Sequence, residues 1–432
     1  MKKMKILLFV INAFLFPLVT WAQDMVCEKL IFSYVSDSKY YKSISFEDES
    51  GNVESREENL FFHVDALLDI NNLQKDTVTL TTTISGWPIL GAQELKVTKN
   101  DGTILPSWIE TNYDSIACCY VRLLKFVLKR DAKVTVSYNL LGSSMLRYGT
   151  DNDMGNMGID SYQQRQEYYY PKDIPIKEIE IKSSDIFLPI ASYARTKDGS
   201  LKDINLAFVV RNQHFMKSIR VKDVEIDVFV PDTLLQKEFD GMQKKLEELR
   251  TNIKTLALYM PPVKRHTSII LINWRSYKTR QAGGEAFGNF ILADVKFGGS
   301  SLFHEVLHTL LPTDIREGSK GAYFLGESVI EWLTLFLSDK SIKSLDELKE
   351  VQGNLYDTAI NASPTWSLIY SKGPAIIEQV AQKFGRGKMA RCLIGFYIEH
   401  ADEEIDYNTF YSYLQERLPS DLLDELDTWV KK

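Results

Sequence analysis

Cysteine and histidine are scarce in this chain, four and six among 432 residues, and the scarcity narrows its chemistry. Cys27, Cys118, Cys119 and Cys392 lack the paired spacing of a thiolate metal site. The sequence leaves open whether Cys27 pairs with one of the adjacent cysteines or all four stay buried thiols. Basic residues do not predominate either: 51 Lys and Arg stand against 58 Asp and Glu, a formal charge of −7. No basic stripe with interleaved aromatics occurs, so no nucleic-acid partner is expected. There is no internal repeat and no low-complexity tract. Past the first two dozen residues no apolar run reaches the ~18 residues of a membrane span, so no integral span is expected in the mature chain.

The N-terminal residues carry an address. Lys2, Lys3 and Lys5 precede an apolar run from Ile6 to Val19, and Thr20-Trp21-Ala22 follows. A basic start, a hydrophobic middle and small residues at the end make a secretory signal peptide over 1–22, cleaved near Ala22. An exported protein, periplasmic or extracellular, is the expectation. Losing three lysines leaves the mature chain more acidic.

The remaining ~410 residues exceed one ordinary core and predict two domains in an α+β chain. From 24 to 231 the texture is that of a mainly antiparallel, sandwich-like β domain. Short alternating or β-branched runs occur at Thr77–Ile84, Lys133–Tyr138 and Val224–Val230, with turn residues at Lys99-Asn100-Asp101-Gly102. The stretch 152–170 reads as an ordered loop within that domain. From 232 to 432 the pattern becomes mostly helical with a small sheet. Leu235, Phe239, Met242, Leu246 and Leu249 recur at helical spacing until Pro261-Pro262. Strands over His266–Trp274 and Phe287–Lys296 come next, then helices to the end.

Two of the six histidines stand together in His304-Glu305-Val306-Leu307-His308. On a helix, positions i and i+4 share a face, so both imidazoles can reach one metal ion. Leu302, Phe303, Val306, Leu307 and Leu310 make this helix apolar and predict its burial. Buried histidines and carboxylates need partners, and a metal supplies one. After eighteen residues that follow His308, Glu327 opens Glu-Ser-Val-Ile-Glu-Trp. With it, two nitrogens and one oxygen would hold a single Zn2+ with a fourth position open, the arrangement of a catalytic rather than a structural site. Glu305, beside the ligands but not among them, is the candidate general base. Glu331, one turn beyond Glu327, is either an acceptor for a ligand histidine or a solvated helix acid. His63, His214, His266 and His400 lie in unrelated contexts and read as structural or exposed.

The motif, its eighteen-residue spacer and the Glu327 segment resemble the gluzincin zinc metallopeptidases. The spacing is similar to the membrane alanyl aminopeptidase family, and His308-Thr-Leu-Leu-Pro-Thr-Asp-Ile315 is similar to the glycyl aminopeptidase family. Ser328 stands where those families usually have glycine. The resemblance implies a thermolysin-like catalytic domain behind a β domain, acting on a peptide or protein substrate. Within Ile369-Tyr370-Ser371-Lys372-Gly373 it implies that Tyr370 donates to the oxyanion. Gly283-Gly284-Glu285, ahead of the histidine helix, corresponds either to the segment that anchors a substrate amine on Glu285, with Gly283 and Gly284 pairing with the peptide backbone, or to a turn leading into an edge strand. An aminopeptidase is the leading expectation. A zinc endopeptidase of narrow specificity, and a non-catalytic secreted binding protein that retains the fold, are the alternatives.

Overall fold

Period-two alternation builds the first part of the molecule. The computed structural model describes residues 24–432 apart from 35–42, 48–52, 58–59, 86–90, 115–118, 143–153, 158, 161–164, 167–169, 172–173, 183–186, 197, 211–213, 232–233, 273–283, 312–313, 317–318, 358–365 and 402. The expected leader and the cleavage position at Ala22 lie outside these residues. By internal contacts the chain forms two units, one of Met1–Ser143, Met157–Ser183 and Gly199–Leu201, the other of Ser144–Asn156, Ser184–Asp198 and Lys202–Lys432.

In the first unit a six-stranded sheet runs in the order Ile179–Lys182, Asp24–Tyr34, Leu60–Asn71, Ala132–Gly142, Gly91–Lys99, Ile104–Leu105. Its pairings are antiparallel except that between Asp24–Tyr34 and Ile179–Lys182. A second, antiparallel sheet joins Thr77–Ser85, Cys119–Val127 and Ser107–Asp114. Val64, Ala66 and Leu68 are buried opposite Tyr138, Val136 and Val134, so successive residues of each strand separate core from solvent. Cys27, paired across from Leu68, is a free thiol in this core, and burial pushes it up to about 12. The disulfide entertained for it does not form, and Cys392 is also free. Cys118 is outside the described residues.

The second unit centres on a mixed five-stranded sheet in the order His214–Val221, Val224–Pro231, Arg265–Ile272, Phe290–Asp294, Gly284–Phe287. Its two first strands lie on the N-terminal side of the boundary expected at 231. Val224, Ile226, Val228 and Val230 do alternate as read, but they point into the core of the helical unit, and their strand pairs in parallel with Arg265–Ile272. Alternation reveals which residues turn inward and not which strand lies alongside. The connection between these parallel strands is the helix Gln236–Leu256, which buries Met242, Leu246, Leu249, Ile253 and Leu256 on one face. The strand expected over Phe287–Lys296 is Phe290–Asp294, and a further strand, Gly284–Phe287, forms a hairpin with it. Gly284–Phe287 and Phe290–Asp294 meet across Gly288, whose φ of +62° suits glycine. A side chain at Gly288 would also overlap Ser192, whose hydroxyl accepts the Asn289 N–H at 2.8 Å. Within the stretch read as a loop over 152–170, Met154–Met157 is a strand beside Leu201–Val210.

Helices Gly299–Leu310, Val329–Leu337, Gly373–Phe384, Arg386–Glu399, Tyr407–Gln415 and Ser420–Lys431 complete this unit. No helix among the described residues is long and apolar enough to cross a membrane. Asp406 caps Tyr407–Gln415: its Oδ1 accepts the Thr409 N–H at 2.9 Å and the Thr409 hydroxyl at 3.1 Å. The backbone N–H holds the Asp406 carboxyl below the usual range. A depressed folded pKa makes the stabilisation complete above the ordinary value of about 3.9 and lost as pH falls through the folded one. Asp406→Ala is therefore expected to cost about 1 kcal/mol at neutral pH. In urea unfolding measured against pH, the gap between wild type and variant should close towards acid; a gap constant with pH would remove the carboxylate from the cap.

Candidate metal centre

The histidine helix, Gly299–Leu310, lies as its sequence implied, with Leu302, Phe303, Val306, Leu307 and Leu310 buried. That apolar stripe seats it in the core and leaves His304, Glu305 and His308 on its other side. His304 is itself buried. The next helix brings Glu327, in a wide turn over Phe324–Ser328 where the Val329 N–H reaches back five residues to Phe324 O. A second wide turn, Leu368–Lys372, closes with the Gly373 N–H on Leu368 O and carries Tyr370.

Three ligand atoms converge. His304 Nε2 lies 3.1 Å from His308 Nε2 and 3.2 Å from Glu327 Oε2, and His308 Nε2 is 3.7 Å from the same oxygen. These are the described residues whose atoms gather within 4.8 Å as a metal-holding group. A tetrahedral zinc ion with ligands at about 2.0–2.1 Å sets them roughly 3.4 Å apart, so the triangle has the dimensions of one face of such a site. The donor set also fits: two borderline nitrogens and one hard oxygen suit Zn2+.

The electrostatics agree. Burial pulls the His304 imidazolium down, but hydrogen bonds with the Glu327 and Glu331 carboxylates outweigh it and carry the ring up to about 10. Burial acts to raise Glu327, yet the two imidazoles overcome it and hold this carboxyl well below the usual range. A ring raised and a carboxyl lowered in this way mark a vertex that favours positive charge, which a divalent cation would supply.

Glu331 meets the other face of His304, with Oε2 2.9 Å from Nδ1. Of the two roles read from the sequence, it takes that of the acceptor. With Nδ1 donating to Glu331, a neutral ring would present the Nε2 lone pair to a metal ion. The helix bearing Glu331 is itself held from behind: buried Trp332 donates from Nε1 to Glu378 at 3.0 Å, and Arg386 pairs with the same carboxylate at 3.2 Å.

Glu305 contributes no atom to the triangle. Burial pushes its carboxyl up, against the His308 and His304 rings and the Ala286 N–H, which it accepts. That last contact brings the edge strand Gly284–Phe287 to the site and with it Glu285, half-buried and paired with Leu292. Gly284–Phe287 is the end strand of its sheet, and Glu285 lies next to the residue that touches Glu305. Gly284 has a packing reason to be glycine, because a Cβ would come within 2.6 Å of the Phe297 ring. Gly283 is outside the described residues.

Tyr370 donates to Glu327 Oε2 at 2.8 Å, its ring 5.8 Å from that of His304. Burial, then the Glu327 carboxylate, raise the phenol above its usual range, so it stays a donor. Trp366, largely exposed, stacks on it with centroids 5.0 Å apart. Neither this indole nor the links between the two wide turns announce themselves in the sequence; the serine at 328, where glycine is usual, was the one available signal. Of the other histidines, His266 pairs with Asp227 at 3.0 Å and His63 with Asn139 at 2.9 Å.

By sequence the chain matches no family model and no curated protein. Its fold is shared. An M1 zinc metallopeptidase from Deinococcus radiodurans superposes with a TM-score of 0.53 over 94% of both chains at 10% identity. A variant of the M1 zinc metallopeptidase from that organism, bound to a Tyr-Ser-Ala substrate, gives 0.55 over 95% of both at 9% identity. Aminopeptidase A of Legionella pneumophila, in complex with aspartic acid, gives 0.58 at 12% identity, over 95% of this chain and 50% of that one. Identities this low establish a common mixed α+β fold, with a sheet-rich N-terminal part and a helical C-terminal part.

Because Glu331 Oε2 lies 2.9 Å from His304 Nδ1, where a carboxylate can orient a ligand ring, Glu331→Gln is expected to weaken zinc binding about 10- to 100-fold. Competition with a chromophoric chelator measures this directly, and an unchanged affinity would show that the ring needs no such acceptor.

Proposed function

We propose that this chain is an exported zinc metallopeptidase of the gluzincin kind, with a thermolysin-like catalytic domain, and that it acts as an aminopeptidase on peptides outside the cytoplasm. The observation that carries the reading is the triangle of His304 Nε2, His308 Nε2 and Glu327 Oε2, with Glu305 beside it and the Tyr370 hydroxyl on the same oxygen. The M1 fold supports it, and the tripeptide bound by the Deinococcus radiodurans protein makes a short peptide the substrate to try first.

His304, His308 and Glu327 would hold one Zn2+. When bound, the ion supplies the Lewis acidity that amide hydrolysis at neutral pH requires. Glu305 takes the proton of the attacking water and passes it to the leaving amine; its burial favours this, since a carboxyl raised from its usual range is a stronger base. Tyr370, kept protonated, turns its O–H from Glu327 to the oxygen that gains charge in the transition state. Glu331 keeps the His304 ring in place throughout. Glu285, on the edge strand that touches Glu305, is the candidate partner for the substrate ammonium and thus for the preference for a free N-terminus. The apolar segment of 6–19 and the small residues before Gln23 support export.

Purified wild type should contain one zinc per chain and cleave short peptides with free N-termini in preference to N-acetylated ones. Glu305→Gln should keep the metal and lose about 10²- to 10⁴-fold in kcat. Metal analysis with peptide hydrolysis reads both. Equal cleavage of blocked and free peptides would favour the endopeptidase reading, and zinc binding without any turnover the non-catalytic one.

A further inference from the structure

The two wide turns that carry Glu327 and Tyr370 are fastened to each other by a residue outside the metal triangle. Ser328 closes the first turn and is fully buried. Its hydroxyl donates to the carbonyl oxygen of Ile369, 2.8 Å away, inside the second. A wide turn displaces the helical ladder by one residue, and a side chain that takes up a carbonyl there holds the distortion in place. The first turn has a matching arrangement: the Tyr397 hydroxyl donates to Leu325 O at 2.6 Å. In each case the carbonyl bound by a hydroxyl is the one directly after the carbonyl that closes the five-residue loop, Leu325 after Phe324 and Ile369 after Leu368.

The contact is steric as well as polar. Gly373 begins the helix that leaves the second turn, and a Cβ there would overlap both Oγ and Cβ of Ser328. Ser328 thus occupies the volume that a side chain at 373 would need, and the backbones close on each other only because one position carries a hydroxymethyl group and the other carries none. Ser328 adjoins Glu327, and Ile369 adjoins Tyr370. A single hydrogen bond therefore ties the backbone beside the carboxylate to the backbone beside the phenol, whose own contact is 2.8 Å.

We infer that Ser328 is a positioning residue that sets the separation of Tyr370 from Glu327 by clamping the two wide turns through the Ile369 carbonyl and the space left by Gly373. Its hydroxyl touches no ligand of the metal triangle and acts through the backbone. The inference rests on the peptidase reading for its effect on turnover. Its packing part stands on the protein alone.

The test uses Ser328→Ala, Ser328→Gly, Gly373→Ala and the exchange Ser328→Gly/Gly373→Ala in the full chain. Ser328→Ala keeps the Cβ and removes the donor. Bound zinc and KM for a short free peptide should stay within about twofold of wild type while kcat falls about 10- to 100-fold, because a phenol displaced by a fraction of an ångström is mispositioned only in the transition state. In metal-free protein, Gly373→Ala should lower the thermal midpoint and the exchange should recover most of that loss, since it moves one side chain into the space vacated by the other. The exchanged protein, folded but without the hydroxyl, should keep the low kcat. Unchanged kcat in Ser328→Ala, a rise in KM alone, additive midpoints in the exchange, or full kcat in the exchanged protein would each overturn the clamp. If wild type itself hydrolyses no peptide, the peptidase reading fails first; an active wild type with indifferent variants sinks only the role of Ser328.

Discussion

Two imidazole nitrogens and a carboxylate oxygen share one vertex at separations of 3.1 to 3.7 Å. Polar groups brought so close, one of the rings buried, are costly unless a charge of the right sign joins them. Much of the second unit can be understood as the means of holding that vertex. The five-stranded sheet and the Gln236–Leu256 helix give the histidine helix an apolar bed. Glu331 fixes the ring of His304 from outside. Glu378, Trp332 and Arg386 pin the next helix from behind.

Regular helices alone would not bring the partners together. Glu327 and Tyr370 both sit in wide turns, where one extra residue rotates the helix beyond it and re-aims the side chain. Such turns disturb the backbone ladder, and here two hydroxyls, from Ser328 and Tyr397, take up carbonyls within them. Polar satisfaction of a distorted backbone and placement of the reactive groups are thus the same set of contacts. The edge strand adds the remaining side of the site through the Ala286 N–H on Glu305.

Much of this was legible beforehand, for identifiable reasons. Helical period made the histidine helix and the Gln236–Leu256 helix readable to within a few residues, because a buried stripe must recur every three to four positions. Two of the candidate metal ligands and the candidate base lie in five consecutive residues, so local geometry alone links them. Val224–Pro231 alternates equally well in either unit, so alternation alone did not assign it to the sheet of the helical unit. The strand Phe290–Asp294 was expected to start at Phe287, because the turn at Gly288 is only two residues long and leaves little punctuation. The free state of Cys27 depends on what packs around it, and no spacing encodes that.

By itself, the sequence determined the inward and outward faces of the helices and strands, the chemical types at the vertex and the pairing of His304 with His308, all of which derive from periodicities set by backbone geometry. Tertiary structure alone decided that Glu327 lies against His304, that Glu331 accepts from the far side of that ring, that Tyr370 reaches the Glu327 oxygen, and that Ser328 and Gly373 interlock. The hydrogen bonds that make these links join residues 23 to 43 positions apart. Their distances depend on close packing between segments that share no repeat, and a linear pattern carries no measure of such packing.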